Sequence, residues 1–383
     1  MFLNRLLKDN KKFVDAALNE YKKGEILPDT YFIDVDTLLE NAQKILNEAK
    51  KYNIKLYYML KQIGRNPYIA KKLEEIGYIG SVCVDFKEVE VMMENRLKLG
   101  NIGHLVQMPK SFLPKVISYG CDIITVYSIE MIEEISSISE KIGKVQNIML
   151  RIIEKNLNVY PGQEAGFTLD EVKKNLPKIA KLKGVRLTGL TSFPCFLYSD
   201  ETRKIEETNN LFSVLKAKEI LENEGIEIKH INLPSVTTVE NMELIAKYGG
   251  THAEPGHALT GSVPFNKEYG QELPAYLYIS EISHNFEGKS YFYGGGYYSR
   301  GNMKNGYIDT KIVEVDKFCP DNIDYYLSMQ GEYKVFSPII LCFRTQMFVT
   351  RSDVILLEGI RSGNVKVVGR YSSQGLERRI NNG

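Results

Sequence analysis

Short apolar runs alternate with longer amphipathic ones from residue 55 to about residue 260. The runs that read as strands are Leu56–Leu60, Ser81–Val84, His104–Gln107, Ile123–Tyr127, Ile148–Ile153, Arg186–Thr191, Lys229–Leu233 and Thr251–Glu254. Between them, apolar positions recur at helical spacing in Pro67–Ile76, Lys87–Asn95, Met131–Lys141, Asp170–Ile179, Thr202–Asn223 and Thr238–Tyr248. Turn signals close the units at Ile76-Gly77, Tyr119-Gly120, Lys183-Gly184, Glu224-Gly225 and Gly249-Gly250. Strand–helix alternation predicts a parallel sheet in an α/β fold. Eight such units in about 200 residues is the count and length of a (β/α)8 TIM barrel. A doubly wound open sheet is the alternative, but no G-x-G-x-x-G follows the first strand.

After Gly261 the helical period fades. Ala275–Ile282, Lys289–Tyr293, Lys311–Val315, Ile339–Phe343, Asp353–Glu358 and Val365–Tyr371 read as strands of a separate all-β domain, and Ser299–Gly306 as a loose loop. At the other end, Leu3, Leu6, Leu7, Phe13, Ala17 and Tyr21 predict an amphipathic docking helix over residues 1–21. The expected layout is therefore an N-terminal docking segment (1–30), a barrel (31–265) and a C-terminal β domain (266–383).

Composition narrows the function. The 383 residues carry 49 Lys+Arg against 48 Asp+Glu, a net charge of +1, so nucleic acid is not an expected partner. Hydrophobic residues are 43% and charged residues 25%, which excludes a disordered chain. The five cysteines are scattered and odd in number, as in reduced cytoplasmic proteins. Arg5 interrupts the apolar start, and no stretch of about eighteen apolar residues occurs, so neither a signal peptide nor a membrane span is expected.

In such barrels chemistry gathers at the C-terminal strand ends. Here those ends are Lys61, Asp85, Gln107, Tyr127, Arg151, Ser192 and Phe193, Ser235, and Glu254 to His257. Lys61 reads either as a solvated lysine or as an imine-forming nucleophile whose amine is freed by desolvation. Ser235 reads either as a helix cap or as a phosphate ligand. His104 and His252 read as strand-end residues with local hydrogen bonds, and no His/Cys/Asp spacing points to a metal site.

The order of a strand-end Lys, a Gly-Leu-Thr-Ser-Phe strand, a Pro-Ser-Val-Thr-Thr turn and Glu-Pro-Gly-His-Ala-Leu-Thr-Gly resembles the alanine racemase-like superfamily of fold type III pyridoxal-phosphate (PLP) enzymes, most of all its YhfX-like subgroup. The resemblance runs from Tyr31 to Tyr371. It implies that Lys61 holds PLP through its amine and that Ser235 and the Gly256–His257 backbone cradle the phosphate. Arg65 and Phe193 fall where the racemases carry a phosphate-contacting Tyr and a ring-contacting His. Tyr371 aligns as a further phosphate contact. Glu254 replaces the racemase Arg at the pyridine nitrogen, as in the related decarboxylases, and makes the ring a stronger electron sink. Glu164 falls near the racemase carboxylate-binding Arg. His284 aligns with the catalytic Tyr of the second domain, and Arg344 offers a planar fork for a substrate carboxylate. Cys342 sits where decarboxylases carry a working Cys, or simply points into the core.

The resemblance further implies an isologous homodimer with shared sites, each taking His284 and Arg344 from the partner subunit. The expected activity is amino-acid racemisation or epimerisation. The alternatives are a PLP-dependent decarboxylase, a non-catalytic PLP-binding protein and a cofactor-free barrel lyase.

Overall fold

The computed structural model describes residues 2–155, 158–319 and 321–378. They pack into two compact units: Ile45–Leu60 with Ala70–Gly256, and Met1–Lys44 with Lys61–Ile69 and His257–Gly383.

The first unit holds eight parallel strands: Lys55–Leu56, Ser81–Val82, Leu99–Ile102, Cys121–Val126, Gln146–Arg151, Val185–Thr191, His230–Asn232 and His252–Ala253. Each neighbours the next in chain order, and the eighth pairs with the first, with His252 opposite Lys55. The first also reaches the second. Tyr58 pairs with Ser81, its N–H donating to Gly80 O (3.0 Å) and its carbonyl accepting from Val82 N (2.8 Å). The ring therefore closes into the expected barrel. Its strands are covered on both faces, which is why they read as unbroken apolar runs such as Ile148-Met149-Leu150.

Helix starts are fixed by caps. Asp85 accepts from Glu88 N (2.9 Å), while the Glu88 carboxylate accepts from Val84 N (2.9 Å). Thr168 and Glu171 form a reciprocal capping box at the start of Leu169–Ile179.

In this unit the third strand and the start of one helix depart from the sequence expectation. The third strand is Leu99–Ile102, not His104–Gln107. Gly100 and Asn101 are poor strand formers, but a Cβ at Gly100 would lie 2.4 Å from the Tyr57 ring, so the barrel wall has room only for glycine there. The helix expected from Thr202 begins at Asn209. A hairpin of Phe196–Ser199 and Lys204–Glu207 precedes it, tied off by Thr208 Oγ1 donating to Pro194 O (2.6 Å).

The second unit is built on a nine-stranded, mostly antiparallel sheet. Its central path runs Lys311–Glu314, Asn305–Ile308, Pro338–Leu341, Tyr276–Phe286, Thr30–Asp34, Asp353–Glu358 and Lys366–Ser372, with Lys289–Tyr293 and Tyr326–Gln330 extending the far end of Tyr276–Phe286. Asn305–Ile308 lies partly within the segment expected to be loose. Thr30–Asp34 falls almost wholly within the segment expected to form the barrel (31–265). Instead it is buried in this sheet, antiparallel to Tyr276–Phe286 and parallel to Asp353–Glu358. The single N-terminal helix is two helices, Leu3–Asp9 and Lys11–Lys22. Asn10 leaves helical geometry so that its Nδ2 can donate to Asp34 Oδ2 (2.9 Å) and Pro274 O (3.2 Å). Among the described residues no helix is long and apolar enough to cross a membrane.

Candidate active site

Glu254 follows the eighth barrel strand and is 6% exposed. Neither of its carboxylate oxygens accepts a hydrogen bond from the protein. His104 Nε2 lies 3.2 Å from Glu254 Oε1 without hydrogen-bond geometry, and neither ring nitrogen of this fully buried histidine has a hydrogen-bond partner. Phe193 meets the His104 ring edge-on, with centroids 5.9 Å apart. Spacing along the chain marks His104 only as a strand-end residue. Only the closed barrel brings it to Glu254.

Among the described residues, Arg151 is the largest fully buried side chain. It donates to Tyr127 Oη (2.9 Å) and to Gln163 O (2.7 Å), and its guanidinium lies over the Tyr127 ring. Glu164, the neighbour of Gln163, is exposed.

Ser235 begins a strained turn. It has φ +89° and Val236 has φ +51°, a left-handed conformation that a β-branched residue rarely adopts. The hydroxyls of Thr237 and Thr238 just beyond are buried and have no hydrogen-bond partner. Gly256 lies in the turn after Glu254.

In the second unit, Lys61 opens a short 3-10 turn, Lys61–Ile63. Arg344 Nε donates to His257 Nε2 (3.3 Å). Because a guanidinium only donates, His257 Nε2 must accept, so the imidazole proton sits on Nδ1 and points to Ser262 Oγ (2.9 Å). Ser262 is held in turn by Thr260 Oγ1 (2.9 Å). Burial, then the charges of Arg344 and Lys61, push His257 well below the ordinary imidazole range. The result is two cations around a neutral imidazole, an arrangement suited to an anion.

Arg344 thus meets His257 of its own chain, whose ring also feels Lys61 of that chain.

Arg65 is 2% exposed, donates to Gln374 Oε1 (2.8 Å) and packs over the Phe348 ring. Tyr371 is buried in the strand Lys366–Ser372, opposite Val354. His284 is exposed, its ring stacked on Tyr291 at 4.8 Å and edge-on to Tyr326 at 5.1 Å. Cys342 points into the core toward Tyr276 O (3.5 Å), and burial pushes its thiol up to about 12.

These residues fit PLP. A buried carboxylate with no donor in the protein is costly, and a protonated pyridine nitrogen is the donor it lacks. The strained Ser235–Val236 turn and the unpartnered Thr237 and Thr238 hydroxyls fit a phosphate.

Comparison with known proteins agrees with this geometry. Residues 33–264 match the family model for the alanine racemase N-terminal domain, and residues 277–367 that for the YhfX-like C-terminal domain. The chain is 44% identical over 382 residues to the Escherichia coli (strain K12) protein described as uncharacterized protein YhfX, covering 98% of this chain and 99% of that one. D-threonine aldolase from Filomicrobium marinum shares the fold with a TM-score of 0.68 at 16% identity, over 90% of this chain and 95% of that one. Alanine racemase from Clostridium difficile 630 in complex with cycloserine shares it with a TM-score of 0.63 at 18% identity, over 91% and 99%. Diaminopimelate decarboxylase from M. jannaschii in co-complex with L-lysine gives 0.62 at 13% identity, over 92% and 90%.

Proposed function

This chain belongs to the alanine racemase family with a YhfX-like C-terminal domain, and on that premise we propose that it is a PLP-dependent amino-acid racemase or epimerase. The observation that carries the reading is the buried, donor-less Glu254 carboxylate. When bound, PLP supplies a ring that accepts the negative charge left as a proton departs the substrate Cα.

The chain's own residues do the rest. Lys61 would hold the cofactor through its amine and would move the Cα proton at one face. Glu254 keeps a proton on the pyridine nitrogen. Ser235 and the Gly256–His257 backbone would hold the phosphate, with Arg65 and Tyr371 as further contacts, and Phe193 would face the ring. The His257 side chain takes no part in phosphate binding, because both its nitrogens are engaged by Arg344 and Ser262. It orients Arg344, whose free fork takes the substrate carboxylate. His284 of the partner subunit serves the second face as acid or base.

Decarboxylation is the second reading, motivated by Glu254. Its expected thiol is unsupported, because the Cys342 sulfur lies in the core. The deciding experiment incubates the PLP-loaded protein with a panel of L-amino acids in D2O. Loss of chirality with deuterium at Cα and no carbon dioxide supports racemisation. Stoichiometric carbon dioxide release replaces it with decarboxylation. Neither signal from any substrate overturns both.

A further inference from the structure

A second cluster lies at the entering ends of the barrel strands. Asp122 sits near the start of Cys121–Val126, and His230 and His252 open His230–Asn232 and His252–Ala253. One ligand atom from each lies within 4.8 Å of the others. The three strands are not all neighbours: Cys121–Val126 is three places around the ring from His230–Asn232. Sequence spacing gives no hint of the cluster, because the residues stand on strands far apart in the chain.

The surroundings are organised for ligation. Both histidines are 6% exposed, and their rings lie 3.5 Å apart at 11°, so the rings must turn before both in-plane lone pairs can meet one ion. Thr251 Oγ1 engages His252 Nδ1 at 2.8 Å, which leaves Nε2 for a ligand. The Tyr57 hydroxyl donates to Asp122 Oδ2 and leaves Oδ1. Such outer hydrogen bonds are what orient metal ligands. Asp122 itself is exposed, which gives an ion a way in.

We propose that Asp122, His230 and His252 bind one divalent transition-metal ion of the zinc class, which ties together strand starts across the barrel. Two imidazoles and a carboxylate suit zinc, whereas magnesium and calcium prefer oxygen alone. Bonds of about 2.0–2.2 Å place tetrahedral ligand atoms about 3.3 Å apart. The set therefore closes by up to about 1.5 Å through rotation of the stacked rings, with water in the fourth position.

The full-length protein, stripped with a chelator, is titrated with Zn2+ against a chromophoric competitor and separately with Co2+. The expected result is one equivalent bound, a raised melting temperature and a Co2+ spectrum without the thiolate band that Cys121 or Cys319 would give. Asp122→Asn keeps an acceptor for Tyr57 and should weaken binding about 10- to 100-fold, and His252→Gln at least as much. Less than about 0.1 equivalent bound at micromolar Zn2+, a thiolate band, or equal affinity in both folded variants overturns the proposal. The cluster is then aromatic packing alone.

Discussion

A buried carboxylate without a donor, such as Glu254, is stable only if something outside the chain supplies the proton it faces. Glu254→Gln should therefore leave cofactor binding largely intact and slow the step that develops charge at Cα. One lost charge contact is worth about 2–4 kcal/mol, or about 30- to 1000-fold in rate. Unchanged turnover would return Glu254 to a structural role. Away from the site, Asp29 makes a pH prediction. Burial raises its carboxyl to about 6 despite hydrogen bonds from Ser352 and Tyr278. The folded state thus holds a proton that the unfolded chain has released above about pH 4. This contribution is fully present below that value and is lost as pH rises through about 6. Asp29→Asn keeps the two acceptor contacts and should raise the melting temperature relative to wild type above about pH 6, with the gain shrinking toward about pH 4. An equal difference at every pH would contradict that cause.

Among the elements, the barrel was legible where its strands are apolar on both faces, as in Ile123-Ile124 and Ile148-Met149-Leu150. It was not legible at Leu99–Ile102, where close approach to Tyr57 selects glycine against strand propensity. Gly100→Ala should accordingly destabilise the fold by about 1–3 kcal/mol in denaturant unfolding, because the added methyl meets both the Tyr57 ring and Ser81 O. A neutral Gly100→Ala would mean that the wall can move. The same limit hid the Ser235–Val236 strain and the His104–Glu254 approach. Positive φ at valine contradicts local preference, and the other is a contact between strands distant in the chain. Lys61, Ser235 and Glu254 are proposed for the site because they fall after apolar runs and within a recognisable order of motifs. The orientation of Arg344 was not, since it depends on a hydrogen bond across 87 positions of chain.

For the whole molecule, we propose from that hydrogen bond that Lys61 and Arg344 of one chain work in the same site. In an isologous dimer, Lys61 and Arg344 serve one site from one chain, while His284 serves the partner's. Mixing Lys61→Ala with Arg344→Ala should then restore nothing, because each site of a heterodimer keeps one lesion. Mixing Lys61→Ala with His284→Ala should restore about a quarter of wild-type activity, because half of the chains pair as heterodimers and each of those has one intact site. Recovery in the first mixture, or none in the second although heterodimers form, would contradict the arrangement. The claim beneath all of this is that Lys61 carries the cofactor. The protein is incubated with PLP, reduced with borohydride, digested and mapped by mass spectrometry. The account predicts yellow protein before reduction and a phosphopyridoxyl group on Lys61, absent in Lys61→Ala. A colourless protein with no adduct on Lys61 would contradict it.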